Sequence, residues 1–330
     1  MKLVAASILL SAAVFGQDGA PVVFRASSEL VLLDVQVIHG RTTTALGDLQ
    51  AEDFELSEDG VSQKISFFGR DQLPLSVVLL FDLTNSVHGV LHRLAGGART
   101  ALDHLKPEDE VAVMVYAASA TLVDGFTRDH ARTVAAIARA ADLRSNDAAF
   151  FNEAVYQAAA QLEKSANPSS RRVILWFTDN LPNVPADFNL KDHDGGLGGA
   201  PPHTEVEAFR KLHESGTAVM PLLLKDRVAA LWAELVIASE SPYRKKYPPG
   251  DAYKYAELTG GFAAGMRGKG VETRLAEVID SLRGRYTIGY HPSETKPPGT
   301  FCRVKVMLAP GAPVRPQEWR VLTRAGYYRK

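Results

Sequence analysis

The sequence predicts an α/β protein in which a doubly wound, mostly parallel sheet is inserted into a small all-β sandwich. Residues 75–81 and 173–178 are continuously apolar, which is typical of strands that helices cover on both faces. Strand and helix patterns alternate over residues 73–284, as a doubly wound sheet requires. The flanking segments 22–72 and 285–330 are rich in strand patterns, and each is too short to bury a large core alone.

The N-terminal flank is predicted to be all β. Residues 22–38 contain many β-branched and leucine residues without a helical period, which predicts one or two strands. The alternating runs 54–57 and 61–68 flank Glu58-Asp59-Gly60. An Asp-Gly pair between alternating runs favours a tight hairpin, because both residues tolerate positive φ angles.

The middle of the chain is predicted to repeat β–α units after the strand at 75–81. In chain order these are a helix at 88–105, a strand at 111–117, helices at 129–141 and 149–164, a strand at 173–178, a helix at 204–215, a strand at 217–224, a further element at 253–258, a short strand at 262–264 and a helix at 271–283. Three strands separated by proline and glycine follow at 285–290, 300–308 and 318–323. We expect residues 285–330 to pair with residues 22–72 and form one sandwich.

Composition excludes several classes of protein. The chain has 330 residues, is 46% hydrophobic and has a formal net charge of −1, so it is not disordered. The 37 Lys and Arg residues balance the 38 Asp and Glu residues, and this leaves no electrostatic term that favours nucleic acid. Cys302 is the single cysteine, which excludes an intrachain disulfide and zinc sites built on several thiolates.

The first residues predict a signal peptide over 1–16. Lys2 is the only charge before an apolar run at 3–15, which suits the hydrophobic region of a secretory signal and is too short to span a bilayer. A buried first helix is the alternative, although the run has neither a polar face nor an N-cap. We therefore expect an exported protein without a membrane span, either periplasmic or secreted.

Polar residues follow two of the predicted buried strands and predict a cation site. Asp82, Thr84 and Ser86 follow the strand at 75–81, and Asp179 follows the strand at 173–178. The carboxyl ends of parallel strands meet at one sheet edge, and carboxylate and hydroxyl oxygens suit Mg²⁺, Mn²⁺ or Ca²⁺. The alternative is that Asp82 and Ser86 only cap the following helix.

With these polar residues after the buried strands, the chain resembles the von Willebrand factor A (VWA) domain, whose sheet is Rossmann-like. It is more closely similar to the bacterial secreted proteins of the VWFA-related acidobacterial domain family, over residues 24–330. The segments that carry the resemblance are LLDVQVI, DLQAEDFELSEDGVSQKISFF, PLSVVLLFDLTNSV, VILWFTDN, RYTIGYHPSE and VLTRAGYY.

The resemblance implies a metal-ion-dependent adhesion site with ligands on three loops. Asp82, Thr84 and Ser86 match its Asp-x-Ser-x-Ser loop, and Asp179 matches the aspartate of the third loop, although Asn180 stands where the family has glycine. In the second loop Ala149 replaces the expected threonine and cannot ligate. Water or Asp147 could fill that position. Otherwise the site is vestigial.

The resemblance also implies a non-enzymatic protein for adhesion or protein–protein interaction, whose partner contributes an acidic residue at the metal-site face. Residues 225–250 leave that face and contain Trp232, Tyr243 and Arg244, residue types that dominate interface hot spots. The alternative is a helix that covers its own sheet. Two other functions stay open, a metal-independent scaffold and, less favoured, a hydrolase using Asp82 and Asp179, for which the sequence supplies no recognisable nucleophile or oxyanion hole.

Overall fold

The structure is a computed structural model that describes residues 30–40, 44–70, 73–145, 149–180, 203–224, 251–266 and 270–330. The strands in chain order are β1 (Val31–His39), β2 (Phe54–Glu58), β3 (Val61–Gln63), β4 (Ile65–Gly69), β5 (Leu75–Asp82), β6 (Glu110–Tyr116), β7 (Ala120–Thr127), β8 (Arg171–Thr178), β9 (Ala218–Leu223), β10 (Ala264–Gly265), β11 (Arg285–Tyr290), β12 (Phe301–Leu308), β13 (Trp319–Leu322) and β14 (Gly326–Tyr328). The α-helices are α1 (Asn85–Leu102), α2 (His130–Asp142), α3 (Phe151–Leu162), α4 (Glu205–Ser215), α5 (Ala252–Thr259) and α6 (Val271–Ser281).

The central sheet has the strand order β10-β9-β8-β5-β6-β7, and all neighbours are parallel except β6 and β7. Helices α1, α2 and α6 pack on one face and α3, α4 and α5 on the other. Every residue of β5 is buried, as its continuous apolar run predicts. The order reverses between β5 and β8, and this reversal marks the switch point where such sheets bind ligands. The predicted α/β fold class is confirmed.

The ends of α4 show how local sequence sets an element. Thr204 is the N-cap, and its hydroxyl accepts from the Glu207 amide while the Glu207 carboxylate returns to the Thr204 amide. Gly216 ends the helix with a φ of 65°, a left-handed conformation that glycine adopts without a Cβ clash. These two signals agree with the helix predicted over 204–215.

Strand β7 was missed by the sequence analysis, which predicted no strand between residues 117 and 129. Among the described strands it lies at the edge of the central sheet and pairs with β6 alone, in an irregular antiparallel register. None of its residues is fully buried, so it lacks the apolar run that marks β5. An edge strand in a half-exposed position leaves a weak sequence signal.

Both chain ends contribute to a β-sandwich of two four-stranded sheets, β13-β1-β11-β4 and β14-β12-β2-β3. Strand β1 pairs with β11 and β13, so the N-terminal and C-terminal flanks alternate in the first sheet, and in the second sheet they meet where β2 pairs with β12. The predicted hairpin joins β2 and β3, and Asp59 and Gly60 have φ angles of 47° and 86°. The predicted single run 61–68 is two strands, because the chain leaves one sheet after Gln63 and enters the other at Ile65.

The predicted signal peptide, residues 1–16, lies outside the described residues. In the part of the chain that the structure describes, no helix is long and apolar enough to cross a membrane.

Two adjacent leucines of β1 should contribute differently to the free energy of unfolding, because they lie on opposite faces of the strand. Leu33 is fully buried among the sandwich residues, whereas Leu32 is 49% exposed on the opposite face. Leu33→Ala should lower the free energy of unfolding by about 2–5 kcal/mol, because it leaves a cavity in the core. Leu32→Ala is the matched control and should change it by less than about 1 kcal/mol. Urea unfolding followed by circular dichroism measures both, and equal losses would contradict the inward orientation of Leu33.

Candidate metal centre

Two buried aspartates lie at the carboxyl edge of the central sheet. Asp82 is the last residue of β5 and is fully buried, and Asp179 follows β8 and is 1% exposed. The two lie close enough for the charge of Asp179 to raise the pKa of Asp82. Thr84, also buried, is the N-cap residue of α1. The switch point of the sheet is therefore acidic and lined with hydroxyl groups.

The carboxylate of Asp82 is oriented by hydrogen bonds from two neighbouring strands and its own loop. Its Oδ1 accepts from the Thr84 amide at 2.9 Å, and the Thr84 hydroxyl adds a second contact from the loop. Its Oδ2 accepts from the Tyr116 hydroxyl of β6 at 2.9 Å and from the Thr178 hydroxyl of β8 at 3.4 Å. The two carboxylate oxygens have about four lone-pair sites in total, so these four contacts orient the group, and a bound cation would replace at least one of them.

Burial is the main cause of the raised pKa of Asp82. The pKa of Asp82 is raised from 3.8 to about 6, because removal from water and, to a lesser extent, the charge of Asp179 outweigh the lowering effect of the hydrogen bonds from Thr84 and Tyr116. A buried carboxyl pair of this kind is costly when both groups are ionised. A hard cation between them would offset that cost, so the chemistry of these residues fits a divalent ion.

Tyr116 is a site residue that the sequence analysis missed. Its hydroxyl donates to Asp82 and accepts from the Trp176 indole of β8 at 2.9 Å. Burial and the nearby Asp82 raise the pKa of Tyr116 well above its usual value, so it stays a neutral donor. The available signal was its position at the end of a buried strand next to β5. Its link to Trp176 depends on the strand order, which a linear pattern does not contain.

Asn180 takes the place of the glycine that the resemblance implies, and the backbone explains the exchange. Its φ angle is 58°, in the left-handed region where asparagine is tolerated better than other side chains. Its side-chain amide donates to Asp251 at 3.3 Å, and its carbonyl accepts from the Ala252 amide at 2.8 Å. Asn180 therefore joins the end of β8 to the N-terminus of α5.

The second loop supplies no oxygen from Ala149. That residue is fully buried and packs in the apolar core on the α3 face of the sheet. The next residue, Phe150, anchors the loop, because its amide donates to the Ala117 carbonyl at 3.0 Å. Asp147, the proposed substitute, lies outside the described residues, and so do Trp232, Tyr243 and Arg244.

The capping alternative is not the arrangement that the structure shows for Asp82. A capping side chain accepts from the second or third amide of the helix, whereas Asp82 accepts from the amide of Thr84, the N-cap residue itself. Thr84 makes no side-chain bond to the helix amides either. Ser86 lies in the first turn of α1, and its side chain is outside the described part of the structure.

One other group of possible ligands occurs among the described residues. Glu58, Asp59 and Cys302 offer atoms within 4.8 Å of one another in the sandwich. The Lys296 amino group contacts both carboxylates, and burial raises the pKa of the Cys302 thiol. A cationic side chain therefore already balances these acids, and the group is less suited to a metal ion than the sheet edge.

Comparison with known families gives an independent assignment for the middle of the chain. Residues 77–181, which run from β5 to just beyond Asp179, match the family model of the von Willebrand factor type A domain. This segment is a VWA domain. It contains both buried aspartates, Thr84 and Tyr116. No curated protein matches the chain significantly.

Several solved structures are similar to the chain, with low identity. The VWA domain of SpRpn10 is 13% identical and has a TM-score of 0.38, covering 63% of this chain and 95% of that domain. BatB of Bacteroides thetaiotaomicron is 15% identical with a TM-score of 0.41, covering 63% of this chain and 98% of BatB. The pilus adhesin SpaC of Lactobacillus rhamnosus GG is 10% identical with a TM-score of 0.42, and the match covers 86% of this chain and 48% of SpaC. At these scores the fold assignment rests on the strand order and the family match.

The raised pKa of Asp82 predicts a pH-dependent effect of Asp82→Asn. Between pH 3.8 and about 6 the folded state holds the proton that the unfolded state releases, so stability falls as pH rises through this window. Above the window the buried charge exerts its full cost. In a chelated, metal-free buffer, Asp82→Asn should raise the free energy of unfolding by about 1–3 kcal/mol at pH 8 and change it little at pH 4.5.

Urea unfolding at the two pH values measures this difference. The control is Asp103→Asn, which removes an exposed carboxylate at the end of α1 and should give the same small change at both values. An Asp82→Asn effect that does not depend on pH would show that Asp82 has an ordinary pKa.

Proposed function

We propose that this protein is an exported, non-enzymatic module that binds another protein through a divalent cation at the carboxyl edge of its VWA sheet. The observation that carries the proposal is the pair of buried carboxylates, Asp82 and Asp179, at the switch point between β5 and β8. Burial and mutual repulsion raise the pKa of Asp82, and a bound cation would remove this penalty.

The proposed ligands are Asp82, Thr84, Ser86 and Asp179. All four offer oxygen, which favours Mg²⁺ or Mn²⁺, with Ca²⁺ as a third candidate. Water would take the position that Ala149 leaves without a ligand, since Mg²⁺ usually keeps several waters. An acidic residue of the partner would complete the coordination, so the partner is proposed to be a protein with an exposed carboxylate.

The VWA match supports protein–protein interaction or adhesion as the general role. Export rests on the sequence pattern of residues 1–16, and the periplasm and the cell exterior fit that pattern equally. Strand β9 ends on the same side of the sheet as Asp82, and from the residues that follow it in the sequence we propose Trp232, Tyr243 and Arg244 as further partner contacts. We also propose membership of the VWFA-related acidobacterial domain family.

A metal-independent scaffold is the second candidate, and Ala149 favours it. The methyl group of Ala149 is buried in the core where a ligating hydroxyl would be needed. In that case the hydrogen bonds from Thr84 and Tyr116 stabilise the Asp82 carboxylate without an ion. The two candidates differ in one measurable property, which is cation affinity.

Isothermal titration of the full chain with Mg²⁺, Mn²⁺ and Ca²⁺ separates the two candidates. The cation proposal predicts saturable binding at millimolar or lower concentration, and Asp82→Asn should weaken it at least tenfold by removing one ligand charge. Asp103→Asn, the exposed control, should leave it unchanged. Affinity should also fall as the pH drops below about 6, because protonated Asp82 cannot ligate.

Ala149→Thr provides the opposing variant. If the native chain binds no cation and Ala149→Thr does, the scaffold candidate is correct and the residue alignment of the second loop holds. If the native chain binds a cation equally well before and after Asp82→Asn, the ion is elsewhere and the assigned ligands are wrong. The absence of binding in every variant would contradict the cation proposal.

A further inference from the structure

A cavity of about 240 Å³ lies between the sandwich and the amino edge of the central sheet. Strand β1 and strand β11 form one side, and the starts of β8 and β9 with the end of α4 form the other. The cavity is therefore on the opposite edge of the sheet from Asp82 and Asp179. It is a separate feature from the proposed cation site.

The charged side chains around this cavity are strongly biased towards arginine. Arg171, Arg172 and Arg324 line it, together with His213. Asp34 is the one acidic residue in the lining among the described residues. Burial and the nearby Arg324 lower the pKa of His213 to about 4, so the imidazole is neutral at physiological pH and adds no charge to the cavity.

The single carboxylate is already shared by two buried arginines. Asp34 accepts from the Arg171 Nε at 2.9 Å and from the Arg285 Nη1, which lies just outside the cavity lining. The side chains of Arg171 and Arg285 are 4% and 1% exposed, so both cations are removed from water. One negative charge therefore balances two positive charges before the other two arginines are considered.

Among the described residues, Arg172 and Arg324 donate hydrogen bonds only to neutral groups, although the charge of Asp34 also acts on Arg324. Arg172 donates to the Ser215 carbonyl at 3.0 Å, and Arg324 donates to the Leu32 carbonyl at 3.0 Å. The Nε atoms of both are buried without a hydrogen-bond partner in the described part of the structure. Burial lowers the pKa of Arg324. Both side chains are half-buried, and an anion at hydrogen-bond distance would offset the cost of burying part of each guanidinium group.

We propose that this cavity binds a small oxyanion, either a phosphate or a carboxylate group, between the guanidinium groups of Arg172 and Arg324. The planar donor fork of arginine matches both anions through paired N–H···O bonds. The volume is below the range of sites for drug-sized molecules, so the ligand is a compact ion and not a peptide segment.

Binding there would connect the two parts of the molecule. Arg324 lies between β13 and β14 of the sandwich, and Arg172 belongs to β8 of the central sheet. An anion held by both would stabilise the junction between them, and the thermal midpoint would rise with anion concentration. The effect should be independent of the cation site, so Asp82→Asn should keep anion binding.

The test is isothermal titration of the full chain with inorganic phosphate and, separately, with succinate, at pH 7.5 and constant ionic strength. Saturable binding is expected for at least one anion, and the anion that binds shows whether the cavity accepts a phosphate or a carboxylate group. Arg172→Gln should weaken binding at least tenfold, and Arg324→Gln provides an independent variant from the sandwich side. The matched control is Arg320→Gln, which removes an exposed arginine of β13 and should not change the affinity.

Three results would overturn the proposal. The first is the absence of saturable binding of either anion to the native chain, which does not depend on any variant folding. The second is an equal loss in Arg172→Gln and Arg320→Gln, which would indicate a general effect of net charge. The third is a thermal shift of the same size in the native chain and in both cavity variants, because a nonspecific salt effect acts on all of them alike.

Discussion

The antiparallel pairing of β1 with β11 is the interaction on which the rest of the structure depends. The ladder runs from Val31 opposite Tyr290 to Gln36 opposite Arg285, and it joins segments about 250 residues apart in the chain. On the core side it places Leu33 with Ile288, and β13 and β4 add to the two edges of this pair, while the other four sandwich strands form the second sheet. Because β5 follows β4 and β11 follows α6, the same ladder brings the two ends of the central α/β segment to one side of the sandwich. Without this ladder the first sheet has no central pair, and each flank alone is too small for a stable core.

The ladder also gives the central sheet two chemically different edges. At the amino edge, Asp34 of β1 and Arg285 of β11 meet Arg171 at the start of β8, so the sandwich contacts the sheet through buried charges. At the carboxyl edge, Asp82 and Asp179 lie where β5 and β8 end, away from the sandwich. Parallel strands all present the same end to each side, so residues at the strand starts gather at one edge of the sheet and residues at the strand ends gather at the other.

The sequence predicted the parts of the structure that depend on local patterns. Continuous apolar runs identified β5 and β8, the Asp59-Gly60 pair identified the β2–β3 hairpin, and polar residues after β5 and β8 identified Asp82 and Asp179 as neighbours. It missed β7, whose edge position gives no strong pattern, and it joined β3 and β4, which belong to different sheets. Tyr116 was missed as a partner of Asp82, because the contact depends on β6 lying beside β5.

The sequence by itself determined the fold class, the positions of the buried strands and the candidate ligands, because alternation, apolar runs and turn residues act over a few neighbours. Only the tertiary structure decided which strands the two flanks share, which hydroxyl groups orient Asp82, and that one aspartate faces an excess of arginines at the junction. The Tyr116–Asp82 contact joins residues 34 positions apart, and the Arg285–Asp34 contact joins residues 251 positions apart. Hydrogen bonds and burial act over distances in space, and a pattern along the chain contains no information on which distant segments the folded core brings together.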